Sequence, residues 1–133
     1  MDSESVRAHC LSFPQATENV QWGNDLVFKI AGKMFAVMAL EGPVKYIMSF
    51  KCTEEKFNDL IEQEGIDPAP YMARNKWVAI ERFDLLSDRE LKSLLRNSYD
   101  MVVEKLPKKM REQLGASPAS ATRPKKSSPR KRR

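Results

Sequence analysis

The stretch from Asn19 to Lys51, NVQWGNDLVFKIAGKMFAVMALEGPVKYIMSFK, restricts the fold more than any other part of the chain. β-branched and aromatic residues fall there into short runs broken by WGND, AGK and EGPVK, a pattern of strands separated by turns. The runs predict four strands, at about 20–22, 26–30, 33–40 and 46–51. The breaks between them are only a few residues long, whereas a parallel crossover needs about a dozen or more. The strands must therefore form an antiparallel meander. Gly32 supplies the positive φ of a tight hairpin turn, and Gly42-Pro43 makes a longer second turn. Leu26, Phe28 and Ile30 share one face, with Val27 and Lys29 opposite; Tyr46, Met48 and Phe50 share one face, with Ile47, Ser49 and Lys51 opposite. KMFAVMAL is apolar on both faces, which suits the centre of the sheet.

Helices flank the meander. Val6, Cys10 and Phe13 recur at helical spacing, so a first helix runs from about Ser3 to Leu11, and Pro14 ends the pattern. Thr53 is a good N-cap for a second helix, with Glu54 and Glu55 at its positive end and a stripe of Phe57, Leu60 and Ile61. IDPAPYMARN reads as a loop and KWVAIE as a fifth strand. SDRE is a capping box, Ser87 with Glu90, opening a long helix whose inward positions are Leu91, Leu94, Leu95, Ser98 and Val102. Pro107 starts a short last helix that Gly115 ends. The order implies an α+β domain, an antiparallel β-sheet meander with helices packed on one face.

Charge divides the chain in two. Its 133 residues suit one domain plus a tail. The net charge is +5, yet seven of the 23 Lys and Arg lie after Gly115, leaving 16 bases against all 18 acids in residues 1–115, a net of −2. Residues 116–133 contain Ala, Ser, Pro, Thr, Lys and Arg, with nothing apolar larger than Ala or Pro, and such a segment is expected to be disordered when free. No run approaches the ~20 apolar residues that span a bilayer, and MDSESVRAHC lacks the basic-then-apolar order of a secretion signal. Cys10 and Cys52 read as reduced thiols. A cytoplasmic protein is expected, nucleoid-associated if it binds DNA.

Candidates for catalysis are few. His9 is the only histidine, and its neighbour Cys10 points about 100° away around the helix, so a dyad is not expected and Cys10 reads as core with His9 on the helix surface. One His and two distant Cys do not make a four-ligand zinc site, and the five glycines are scattered rather than gathered into a phosphate loop. Glu54, Glu55, Asp59 and Glu62 read as the solvated face of a helix. Neither an enzyme nor a cofactor is expected. Lys29, Lys33, Lys45 and Lys51 lie at strand faces or hairpin turns, with Trp22 and Trp77 in the same framework. Such cations can neutralise phosphates and such aromatics can stack on bases; equally, lysines blunt sheet edges and tryptophans fill cores.

The segments LSFPQATENVQWGNDLVFKIAGKMFAVM, PAPYMARNKWVAIE and ELKSLLRNSYDMVVEKLPKKMR, in that order, resemble the MmcQ/YjbR-like family of small bacterial proteins over about residues 3–112. The elements that carry the likeness are Phe13-Pro14, Trp22-Gly23, the run from Phe28 to Ala36, Tyr71, Lys76-Trp77-Val78, and Ser98-Tyr99 ahead of Lys105-Leu106-Pro107. The resemblance implies a fold related to the bacterial frataxin homologue CyaY and a DNA-binding role of "double wing" type. Here the wings would be the turns Ala31-Gly32-Lys33 and Glu41-Gly42-Pro43-Val44-Lys45; Glu41 departs from what a phosphate-facing tip prefers. The frataxin likeness also raises iron binding, but the first helix offers only Asp2 and Glu4, with Glu18 in the following loop, where hard cations need several converging oxygens, so iron is not expected.

The tail makes the stronger electrostatic argument. TRPKKSSPRKRR holds Arg123, Lys125, Lys126, Arg130, Lys131, Arg132 and Arg133 and no acid. If all seven met phosphates, the salt slope would be about −6, close to four decades of affinity between 50 and 200 mM salt. SSPRKRR is similar to the Ser-Pro-basic repeats of histone tails. The sequence reading is a largely sequence-nonspecific, non-catalytic DNA-binding protein that uses this tail and its wings, with RNA or an acidic protein as other partners and no membrane. The rival reading is a structural or protein-interaction domain whose tail is incidental.

Overall fold

A computed structural model describes residues 1–70 and 72–115. Tyr71 and the whole of 116–133 lie outside the described residues, and with them the expected tail and its seven basic side chains. The elements, in chain order, are α1 (Ser3–Leu11), β1 (Thr17–Gln21), β2 (Asp25–Ile30), β3 (Lys33–Ala39), β4 (Met48–Lys51), α2 (Glu54–Leu60), β5 (Ile66–Pro68), β6 (Trp77–Ile80), α3 (Asp88–Glu104) and α4 (Lys108–Gly115). Short 3₁₀ turns occupy Ala73–Asn75 and Phe83–Leu85.

The six strands form one sheet in the order β1-β2-β3-β4-β6-β5, and every neighbouring pair is antiparallel. The β2–β3 connection is a two-residue turn with positive φ at both Ala31 and Gly32, the conformation whose twist matches a hairpin. β3 lies third in the sheet with partners on both sides, which accounts for a strand apolar on both faces.

The sequence reading differs from the structure in three places. The first strand lies earlier than predicted, at Thr17–Gln21; Trp22 is in the turn after it, with φ 51 and 65% of its surface exposed. β4 begins only at Met48, so Tyr46 leaves the strand pattern and packs on the opposite sheet face from Met48 and Phe50. Part of the predicted loop is β5, which pairs Ile66 with Ile80 and closes the sheet edge.

The helices cover one face. Val6, Cys10, Leu26, Phe28, Ile30, Met38, Met48, Phe50, Leu91, Leu95 and Val102 belong to a single buried core beneath α1, α2 and α3. Removing this apolar area from water is the main force holding the layers together. Phe13, Phe35 and Tyr99 pack ring against ring within it, and the Tyr99 hydroxyl donates to Pro14 O at 2.6 Å, fixing the chain where α1 ends. Helix starts follow their capping residues. Asp2 and Ser5 form a reciprocal box on α1, Thr53 accepts from the Lys56 amide, and Ser87 accepts from the Glu90 amide at 3.1 Å.

A bulge interrupts β3. Opposite β2 the register passes from Phe28↔Ala36 to Lys29↔Met34, leaving Phe35 as the extra residue, and both Phe35 and Ala36 are fully buried in the helix-side core. Ser98, also fully buried, resolves the resulting break in the ladder: its hydroxyl donates to Phe35 O at 2.6 Å and accepts from the Lys51 N–H at 3.1 Å. Among the described residues, the opposite sheet face carries a small cluster of Ala69, Trp77 and Ala79, with Met34, Val37, Tyr46 and Met72 against it.

Candidate functional site

A meander reverses direction at each turn, so its consecutive turns lie at opposite ends. The wing at Ala31-Gly32-Lys33 sits at one end of β3 and the wing at residues 41–45 at the other, about 20 Å away for a strand of this length. The two predicted wings therefore do not form one contact surface.

At the Lys33 end the chain forms a concavity of about 420 Å³, lined by Lys33, Met34, Lys51, Met72, Asn75, Trp77, Val102, Lys105 and Leu106. Lys33 comes from the hairpin tip, Lys51 from the end of β4 and Lys105 from the C-cap of α3. No Asp or Glu among the described residues lines it. Lys33 and Lys105 are exposed and Lys51 is half-buried. Burial, and after it the charge of Lys105, holds the Lys51 ammonium below its usual pKa. No carboxylate among the described residues lines the concavity beside that cation, and an arriving anion would supply a counter-charge.

The far wall is held by its own backbone. The amides of Asn75 and Trp77 both donate to Met72 O, at 3.2 and 3.3 Å, and Cys52 N–H donates to Lys76 O at 2.9 Å. Lys76 sits with φ 65 and turns away from the concavity, its ammonium 3.7 Å from Glu54 and 5.2 Å from the Phe57 ring centre. Trp77 is 5% exposed, so little more than its edge reaches the opening, beside half-buried Met34 and Met72.

Of the predicted site residues, the structure brings Lys33 and Lys51 together. Lys29 pairs with Met34 across the β2–β3 ladder, half-buried on the sheet face and outside the lining of the concavity. Lys45 belongs to the other end, its ammonium 5.4 Å from the Tyr46 ring centre. Arg123, Lys125, Lys126, Arg130, Lys131, Arg132 and Arg133 lie outside the described residues. Sequence reasoning missed Lys105, Asn75 and Met72. Lys105 did leave a signal, a lysine at the end of a long amphipathic helix where the dipole favours cations.

The Cys–His pair separates as expected. Cys10 is fully buried, its thiol pushed up to about 12 by burial, while His9 is half-buried with its Nε2 3.2 Å from Lys92 O. No group of three or more His, Cys, Asp or Glu that could hold a metal ion occurs among the described residues. None of the described helices is long and apolar enough to cross a membrane.

At the opposite end of the sheet, Val20, Trp22, Leu40 and Val44 are exposed, from 46 to 65%. The Leu40 amide donates to Asn24 O at 2.9 Å, tying the β1–β2 turn to the loop after β3.

The family model described as YjbR matches residues 11–101. A Deinococcus radiodurans protein, DR2400, described by the domain DUF419, superposes with a TM-score of 0.74 at 26% identity, over 84% of this chain and 86% of its own. A Pseudomonas syringae protein superposes with a TM-score of 0.61 at 18% identity, over 76% of this chain and 98% of its own, a likeness of fold. No curated protein matches.

Proposed function

This chain belongs to the YjbR family, and from that premise we propose that it is a non-catalytic DNA-binding protein, largely indifferent to sequence. The observation that carries the reading is the convergence of Lys33, Lys51 and Lys105 from three separate elements on one opening free of carboxylates among its described lining. Residues 1–115 carry a net charge of −2, so lysines gathered without carboxylates run against the charge balance of the domain. Three that face one volume make a local positive field, which favours phosphate. The seven bases after Thr122 add to the same attraction. In this reading the concavity gives the folded contact and the tail supplies affinity that does not depend on sequence.

Fluorescence anisotropy with a labelled duplex tests it. The full chain is expected to bind at micromolar concentration in 50 mM salt, with a salt slope as steep as about −6 to −9 if seven to ten cations take part. Replacing all seven tail bases by Gln within the full-length chain should flatten the slope to no steeper than about −3. Absence of any complex at low salt would end the proposal.

A second reading, a protein-interaction domain, draws on the exposed Val20, Trp22, Leu40 and Val44 at the far end. It predicts binding to protein partners that Trp22→Ser weakens and that tail neutralisation leaves intact.

A further inference from the structure

We propose that the three-lysine concavity receives one unstacked nucleotide, so that the chain binds single-stranded DNA in preference to duplex. This deepens the DNA-binding reading and rests on it. Shape is the first argument. The phosphates of a duplex run over a convex surface and are met by projecting cations, whereas these lysines surround a recess of about 420 Å³, within the range of small-ligand sites.

The floor is the second. Met34, Met72, Trp77, Val102 and Leu106 give it an apolar base, which a lone phosphate does not need and a nucleobase does. With Trp77 nearly closed off, the base meets the two methionines and the edge of the indole, contacts that thioethers make well. Asn75 adds an amide with both donor and acceptor capacity at the rim, suited to a base edge.

Charge is the third. A fatty-acid-like ligand would bring one negative charge to three ammonium groups, while a nucleotide within a strand brings its own phosphate and that of its neighbour. The backbones that carry the lysines are also placed in advance. The Lys51 backbone is held by Ser98, Lys33 by a two-residue turn, and Lys105 by the end of α3. A base paired inside a duplex cannot reach such a recess without giving up its stacking and pairing. A single strand avoids that cost.

The test uses the full-length chain with a 3′-labelled twelve-nucleotide thymidine strand and a duplex of equal length, both in 50 mM salt. The single strand should bind at least about fivefold tighter, the low end of one base contact. Lys51→Gln with Lys105→Gln should remove most of that preference while weakening duplex binding much less, because the tail still meets phosphates. Thymidine monophosphate should compete with the single strand better than inorganic phosphate does.

Equal affinity of the wild-type chain for both strand forms would overturn the nucleotide assignment and leave the broader reading standing. So would a double substitution that weakens both forms by the same factor. Failure to bind either form would sink the broader reading and this one together. The comparison of strand forms on the wild-type chain needs no variant, so it decides the matter even if the substitutions unfold the protein.

Discussion

Replacing Ser98 by Ala tests how the sheet tolerates its bulge. The hydroxyl serves two backbone groups at once, accepting from the Lys51 N–H at 3.1 Å and donating to Phe35 O at 2.6 Å, and the side chain is fully buried. Alanine leaves both groups without that partner. A buried polar group stripped of its hydrogen bond costs about 1–3 kcal/mol. Phe35 O is buried and should bear the full cost, while the Lys51 amide is only partly buried and can recruit water at less. The expected destabilisation is about 2–4 kcal/mol, reduced by the few tenths that alanine gains over serine inside a helix.

Against a total of about 5–15 kcal/mol for a domain of this size, that is a large loss. Urea denaturation should show a lower midpoint with an unchanged slope, and the melting temperature should fall by roughly 10 °C. Ser93→Ala is the matched control, since Ser93 lies exposed on the same helix, and it should change stability by no more than about 0.5 kcal/mol. A Ser98→Ala loss below about 1 kcal/mol would show that the interrupted ladder satisfies itself some other way and that the Ser98 hydroxyl does not hold the bulge.

Three further outcomes are expected. Cys10 and Cys52, both buried with thiols pushed up to about 12, should react with a thiol reagent in native protein only as fast as the chain opens, and denaturant should release both; rapid native labelling of either would contradict its burial. Gly65→Ala should cost about 1–3 kcal/mol in urea unfolding, because φ is +91 there and a Cβ would come within 2.7 Å of Leu85 Cδ1. Burial lowers the His9 pKa below its ordinary 6.5, so the unfolded chain binds the proton more readily; His9 should therefore favour unfolding as pH drops below 6.5 and cost nothing above it, and His9→Gln should flatten the stability–pH curve in that acid window alone.

The layers of the fold were legible because each rested on a local rule. Ser3–Leu11 and the α2 stripe follow from spacing and caps, and the meander follows from connections too short for anything else. β5 was not legible: a three-residue strand carrying Pro68 shows no alternation, and only its pairing with β6 makes it a strand. The first strand was placed late because Trp22 resembles a strand residue, although its left-handed backbone belongs to a turn. The candidate site was only half legible. Lys33 and Lys51 stood out as cations on a sheet, but their convergence with Lys105 depends on strand register and on where a 17-residue helix happens to end, which no local pattern records. Ser98 was correctly placed facing inward, yet its double hydrogen bond depends on a bulge that appears only once β2 and β3 are in register.

The distance between successive reversals of the chain makes this a two-headed molecule. A strand seated among the lysines leaves Trp22 and Val44 facing solvent, and a body resting on those two leaves the lysine recess unobstructed. Were both ends to take partners, the two would meet the same copy without colliding, held apart by the length of β3.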